Sequence, residues 1–284
     1  PDTPIMLVGQ EIGELQSDAR RPFANRVYQD QYPPGSTFKI ITLAAASEEH
    51  TWRPSDMFYC GMEWQGAEYG DSRPVRYDWR NWEPEERRFD TGEITMSQAL
   101  TASCNPFFYQ MGALLTRTPD GFSTLGNYSR RMGLGRPTGL VYDPSVPEAA
   151  GQLAVINSTD VAISAAIGQS DTQVTILQMA RMVAGIANGG TLYTPYIVQQ
   201  VGAGDNVSFQ GQPQAAGEMN LSEETLALIR EGMCAVTTQA TVGTTTGQPI
   251  GTAWFVFDDD TGTGIAPYSV CAKTGTAQTG RVEP

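Results

Sequence analysis

Ser36 and Lys39 stand three positions apart in "YPPGSTFKI", Tyr32 to Ile40. On a helix that spacing puts both side chains on one face, about 5–6 Å apart. A serine in a first helical turn feels the positive helix end, which favours a developing alkoxide. A lysine becomes a base when burial and nearby positive charge lower its pKa. His50 is the single histidine and sits in the polar "SEEHTW", which reads as surface, so the usual activator of a serine is nearly absent. One S-x-x-K recurs by chance, and taken alone it reads first as a capping serine followed by a solvated lysine.

Two further clusters change that balance. Ser103-Cys104-Asn105 falls at a break between two helical stretches, where polar side chains can face a cleft. Simple capping by Asn105 is the bland alternative. Lys273-Thr274-Gly275-Thr276 ends a stretch that reads as a strand, "APYSVCAKTGTAQ". Gly275 allows a ligand backbone to come close, and the lysine and threonines suit a carboxylate. An edge-strand lysine used against aggregation is the alternative. Strict alternation would put Lys273 and Thr276 on opposite faces, so both serve one site only if the strand twists or bulges near Gly275.

S-x-x-K, S-x-N and K-T-G in this order resemble the penicillin-binding transpeptidases and the serine β-lactamases. Four stretches extend the likeness to the class B, high-molecular-weight branch: "NRVYQDQYPPGSTFK", "GEITMSQALTASCNPFFYQMG", "IGQSDTQVTILQMARMVAGIANGG" with Gly168 and Gln169, and "KTGTAQ". The resemblance runs from about Ala24 to the C-terminus. It implies a D,D-transpeptidase that cross-links peptidoglycan through a serine acyl-enzyme on D-Ala-D-Ala stem peptides and is trapped by β-lactams. Ser36 would be the nucleophile and Lys39 its base. Ser103 would relay protons between Lys39, Lys273 and the leaving amine. Asn105 would hold the substrate amide, and Thr274 and Thr276, beside Gly275, the terminal carboxylate. The backbone N–H groups of Ser36 and Thr276 would form the oxyanion hole. No cofactor or metal is implied. The partners implied are stem peptides on a lipid-linked precursor and β-lactams, with a glycosyltransferase partner left open, on the outer face of a bacterial membrane. Within acyl transfer, a β-lactamase or carboxypeptidase is the alternative, although no glutamate-bearing class A loop is found and class D enzymes usually carry an apolar residue where Asn105 stands. A β-lactam-binding sensor module is the alternative from another class.

The elements that must position these residues are legible in part. With 284 residues, 40% hydrophobic and 17% charged, the chain is globular. Its net charge of −13 argues against nucleic acid, yet a cleft can hold the opposite local field. No apolar run approaches the ~20 residues of a membrane span. Ser36 is expected to cap a helix with Ile40, Leu43 and Ala44 on its apolar face. Residues 50–93, rich in Gly, Pro and Trp, read as a long structured loop whose Trp52, Trp64, Trp79 and Trp82 pin it to the body, with the lining of a groove as the alternative. Asn105 and Pro106 read as N-cap and first helical residue of a following helix. Further on come a helix over "TILQMARMVAGIANGG" with Ile176, Met179, Ala180 and Val183 on one face, a strand over "TLYTPYIVQQV", and a helix with Leu226, Ile229, Met233 and Val236 at helical spacing, boxed by Asn220 and Glu223. The acidic run Asp258-Asp259-Asp260 reads as a solvated turn.

The expected fold is α+β: an antiparallel sheet flanked by helices, with a largely helical subdomain. The whole of 1–284 reads as one partial domain, helical over roughly 40–190 and sheet-associated over 1–39 and 191–284. C-terminal strands and an N-terminal membrane anchor are expected to be missing, which would leave the Lys273 strand an exposed edge. Cys60, Cys104, Cys234 and Cys271 show no metal-ligand spacing, and their pairing is left open.

Overall fold

A computed structural model describes residues 12–140, 147–204, 206–238, 240–241, 247–257 and 269–277. The run "PIMLVG" and Asp258-Asp259-Asp260 lie outside them. The architecture is α+β, with helices around one core and short antiparallel strand pairs.

The centre is helix α1, Lys39–Glu48, preceded by a 3-10 turn over Gly35–Phe38. Every residue from Lys39 to Ser47 is buried. A helix apolar on all sides belongs inside a core, and Ile40, Ile41, Leu43 and Ala44–Ala46 supply that surface here. Ser36 does not cap this helix. The turn starts after Pro34, with no side-chain cap. A 3-10 turn eclipses side chains at i and i+3, which stacks Ser36 over Lys39 along the helix axis.

Against α1 pack α2 (Met96–Thr101), α3 (Asn105–Leu115), α4 (Thr124–Arg131) and α7 (Glu223–Ala235), while α5 (Thr159–Ala166) packs on α3 and α6 (Ile176–Ala187) on α7, all in one core. Their caps differ from sequence expectation by one or two residues. Cys104, not Asn105, precedes α3, and its sulfur accepts from the Phe107 N–H at 3.4 Å. Ser222, not Asn220, caps α7, accepting from the Thr225 N–H. A hydroxyl with extended backbone suits that role better than Asn220, which holds a positive φ of 49°. On α7 the expected face holds: Leu226, Ile229, Met233 and Val236 are all buried. On α6 it does not. Ile176 and Val183 are exposed, while Gln178, Arg181, Met182 and Ile186 face inward. The inward polar groups are satisfied: Gln178 Nε2 donates to Arg136 O and Ala150 O at 2.8 Å each, and Arg181 Nε to Tyr193 O at 2.7 Å. Hydrogen bonds to backbone carbonyls outweigh the simple apolar periodicity.

Residues 50–93 are the structured segment expected, ordered into an arm by short strand pairs and 3-10 turns. Strand β1 (Phe58–Cys60) pairs with β4 (Gly92–Ile94), and β2 (Glu63–Trp64) with β3 (Arg76–Tyr77), both antiparallel. Trp64 is buried and stacks on Tyr69, and Trp52 packs edge-on to Phe58 and Phe107. These tryptophans pin the arm as expected. Trp82, 72% exposed, does not. Later strands are β5 (Thr191–Thr194) with β8 (Gln214–Glu218), and β6 (Gln200–Ala203) with β7 (Asn206–Gln210). The expected single strand over "TLYTPYIVQQV" is therefore two pieces. Residues 269–277 form no strand, because no described segment ladders with them; Ala272 donates one backbone bond to Met233 O at 3.0 Å.

Candidate active site

Three segments meet at one cleft of about 1150 Å³, whose lining includes Ser36, Ser103, Asn105, Thr274, Gly275 and Thr276. The Ser36 turn is threaded between two backbones. Gly35 (φ 53°) would place a Cβ 2.4 Å from Thr276 O, and a Cβ at Gly168 (φ 74°) would lie 2.0 Å from Gly35 O. Only glycine fits at either position. Gln169 Nε2 adds a bond to Thr276 O at 3.4 Å. Gly275 itself is exposed to the cleft, with Thr37 behind it.

Lys39 is fully buried. Its Nζ donates to Ser103 O at 2.7 Å, to Ser103 Oγ at 3.0 Å and to Asn105 Oδ1 at 2.6 Å. Burial first, then the positive charge of Lys273, push its pKa well below the ordinary lysine value; Asp78 opposes and Arg80 adds to the fall. The solvated-lysine alternative is thereby excluded. Lys273 keeps part of its surface open, but desolvation of its ammonium lowers it to about 7, and Nζ donates to Thr274 O at 3.0 Å. Ser103 is buried and sits at φ 52°, a left-handed conformation rare for a residue with a side chain. Asn105 spends its Oδ1 on Lys39, while its Nδ2 reaches only Tyr77 O at 3.5 Å and so keeps a donor for a ligand. His50 is exposed and remote from this chemistry, as expected.

Several residues at the site were missed from sequence. Thr252 shares a 2.7 Å hydroxyl bond with Thr274. Asp78, Trp79 and Arg80 lie under the Ser103 loop. Both cysteine pairs flank motifs: Cys60 is joined to Cys104, and Cys234 to Cys271. One signal was available throughout. The chain has only two lysines, Lys39 and Lys273, and all its other basic side chains except His50 are arginines. An arginine stays charged, whereas a lysine can be tuned to lose its proton. In this chain both lysines belong to the motifs gathered here, and both have a lowered proton affinity.

The cleft thus gathers Ser36, Ser103, Asn105 and the Thr274–Thr276 segment, with two amines of lowered pKa in the same three motifs. Comparison with known proteins agrees with that chemistry. The penicillin-binding protein transpeptidase domain matches residues 5–284. The peptidoglycan D,D-transpeptidase MrdA of Salmonella typhimurium is 26% identical over 277 residues, 95% of this chain and 40% of that protein. Stage V sporulation protein D of Bacillus subtilis is 32% identical over 249 residues, 87% of this chain and 33% of that protein. The chain thus spans well under half the length of these curated relatives. Among solved structures, a peptidoglycan synthase complex that coordinates polymerization and crosslinking superposes with a TM-score of 0.69 at 29% identity, covering 98% of this chain and 41% of that one. Penicillin-binding protein A from M. tuberculosis, as its imipenem acyl-enzyme, gives 0.64 at 25% identity, covering 82% of this chain and 50% of that one. With the three motifs gathered on one cleft and residues 5–284 of the chain matched by the family model, the chain belongs to the transpeptidase domain family of penicillin-binding proteins.

Proposed function

We propose that this chain carries the acyl-transfer site of a peptidoglycan D,D-transpeptidase, with Ser36 as nucleophile and Lys39 as its base. The observation that carries this reading is the Lys39 amine: buried, held on three oxygens of the second motif, and depressed toward its neutral form. A neutral Lys39 takes the Ser36 hydroxyl proton as Oγ attacks the carbonyl carbon of the penultimate D-alanine. The peptide C–N bond breaks, and the leaving amine of the terminal D-alanine receives a proton through the Ser103 hydroxyl, which can donate to or accept from Lys39. An amine of a neighbouring stem peptide then attacks the ester carbon, and Ser36 Oγ recovers its proton. Thr274, Thr276 and Lys273 receive the substrate carboxylate, and Asn105 Nδ2 donates to the substrate amide. The N–H groups of Ser36 and Thr276 hold the oxyanion, where loss of one donor typically costs ~10²–10³ in rate.

A stem-peptide substrate calls for a domain outside the cytoplasmic membrane. No helix among the described residues is long and apolar enough to cross a membrane. The synthase complex among the structural relatives motivates a glycosyltransferase partner for the parent protein.

The test is acylation by a fluorescent penicillin, followed on gels and by intact mass. The folded chain takes up one label that survives for minutes or longer, and Ser36→Ala takes up none. Folded protein without label overturns the acyl-serine reading, and label shed within seconds points to a β-lactamase. Stable label with no cross-linking of lipid-linked stem peptide by the full-length protein supports the sensor reading instead.

A further inference from the structure

Under the cleft, Asp78 and Arg80 make an ion pair that plays no part in the steps above. Asp78 is 1% exposed and Arg80 3%. Asp78 caps a 3-10 turn over Trp79–Trp82 that contains Arg80, and Asp78 Oδ1 accepts from the Arg80 N–H at 3.1 Å and from Arg80 Nη1 at 3.0 Å. Each partner also reaches the loop that carries the second motif. Asp78 Oδ2 accepts from the Asn105 N–H at 2.9 Å. Arg80 Nη2 donates to Ala102 O at 3.1 Å, and Trp79 Nε1 donates to the same oxygen at 3.3 Å. The pair therefore grips the loop on both sides of Ser103 and Cys104. Between those grips Ser103 holds its left-handed backbone, a conformation that persists only when its surroundings enforce it.

Burying an ion pair is rarely the cheapest way to fill space, since apolar groups of similar volume often stabilise as well. Here one price is visible: Arg80 Nε is buried with no hydrogen-bond acceptor among the described residues. The compensation is where the charges lie. The amine of Lys39 has cations near it in Lys273 and Arg80, and Asp78 is the carboxylate acting against them.

We propose that the buried Asp78–Arg80 pair is a positioning unit of the active site, which shapes residues 102–105 so that Ser103 and Asn105 meet Lys39 and which balances the charge around that amine. It rests on the transpeptidase reading for its consequence in rate, but not for its consequence on Lys39. Neither residue touches the reacting atoms; both act through the loop and through the field. Asp78 raises and Arg80 lowers the proton affinity of Lys39, so removing one charge must move Lys39 in the direction set by the other.

The two-lysine composition makes this measurable. Lysine labelled with carbon-13 at Cε gives two side-chain resonances, assigned with Lys273→Met, and their titration reads Lys39 directly in Ser36→Ala protein. Asp78→Asn keeps an oxygen for the Asn105 N–H but leaves Arg80 unbalanced, so the Lys39 midpoint moves to lower pH. Arg80→Gln moves it to higher pH. The double variant Asp78→Asn/Arg80→Gln returns it toward wild type. In the Ser36-intact protein, the rising limb of penicillin acylation against pH follows the same three shifts. Arg80→Lys keeps the charge but shortens the reach to Ala102, so the limb stays in place while acylation slows about tenfold or more, as for a misplaced catalytic group. Circular dichroism checks that each variant is folded, and the double variant serves if a single one is not. Equal Lys39 midpoints in all folded variants overturn the charge role. Unchanged acylation in folded Arg80→Lys overturns the positioning role. A wild type that takes no penicillin would instead sink the transpeptidase reading, and the lysine titration would still decide this one.

Discussion

The two walls of the cleft are built in different ways. The wall formed by residues 102–105 is buried and gripped from below, with Trp79 and Arg80 donating to Ala102 O on one side, Asp78 accepting from the Asn105 N–H on the other, Lys39 donating in front and the Cys60–Cys104 bond behind. The wall formed by residues 269–277 is half-exposed and fastened at separate points. Those points are the Cys234–Cys271 bond, the Ala272 bond to Met233 O, the Thr237 hydroxyl on Val270 O, Thr252 on Thr274, and Gln169 on Thr276 O. The first wall couples chemistry to core stability, because the groups that shape it are desolvated. In the second, chemistry and stability separate, because each fastening is local and partly solvated.

The largest expected effect breaks the first wall. Asp78→Ala leaves Arg80 buried without its anion, which costs about 3–5 kcal/mol of folding stability. Urea unfolding should show the midpoint falling sharply, together with acylation. If stability drops by under 1 kcal/mol, the wall is not the buried structure described. Next comes the fastening of the second wall. Removing the Cys234–Cys271 bond by a Cys234→Ala/Cys271→Ala change should cost about 2–4 kcal/mol by freeing the chain between them. Protease cleavage should then appear first near residues 269–277 while the Ser103 loop stays protected. Cleavage at the arm first would contradict the comparison.

The same contrast explains what the sequence could and could not reveal. The motif residues were legible because their types and order are chemically unusual together. The helices around Leu226 and Ile229 were legible because burial follows a simple period. The arm was not, because its strands are two or three residues long and no period can build up in them. Its order comes from stacked aromatics and from Arg76–Asp71 and Arg80–Asp78 pairs buried in its base, and buried arginines read from sequence as surface. The α6 face was misread for the same reason, since Gln178 and Arg181 point inward. The Lys273 segment read as a strand from its small and β-branched residues, but a strand also needs a neighbour to ladder with, which composition does not supply.

A smaller effect sharpens the account of the second wall. Thr252→Val removes the hydroxyl shared with Thr274, for a loss of about 0.5–1.5 kcal/mol. Its visible consequence should be weaker handling of ligands that carry the terminal carboxylate, with Lys39 unaffected. An altered Lys39 titration in Thr252→Val would mean that the two walls are coupled after all.

The smallest effect is a slope. Lys273 falls to about 7 in the folded chain through desolvation, below the ordinary lysine value of 10.5 it regains on unfolding. Below about 7 both states hold the proton and the cost of burying the ammonium is fully present. Between about 7 and 10.5 the unfolded chain binds more protons than the folded one, so stability rises with pH across that window. Lys39 acts in the same direction for the same reason. Lys273→Met should therefore flatten the rise only in part, because Lys39 remains, and melting temperatures measured from pH 7 to 10 would show it. The change should be modest, because Lys273 keeps part of its surface open to water, which screens its charge. A slope that vanished entirely in Lys273→Met would place the whole proton linkage on the loosely fastened wall and contradict a buried, depressed Lys39.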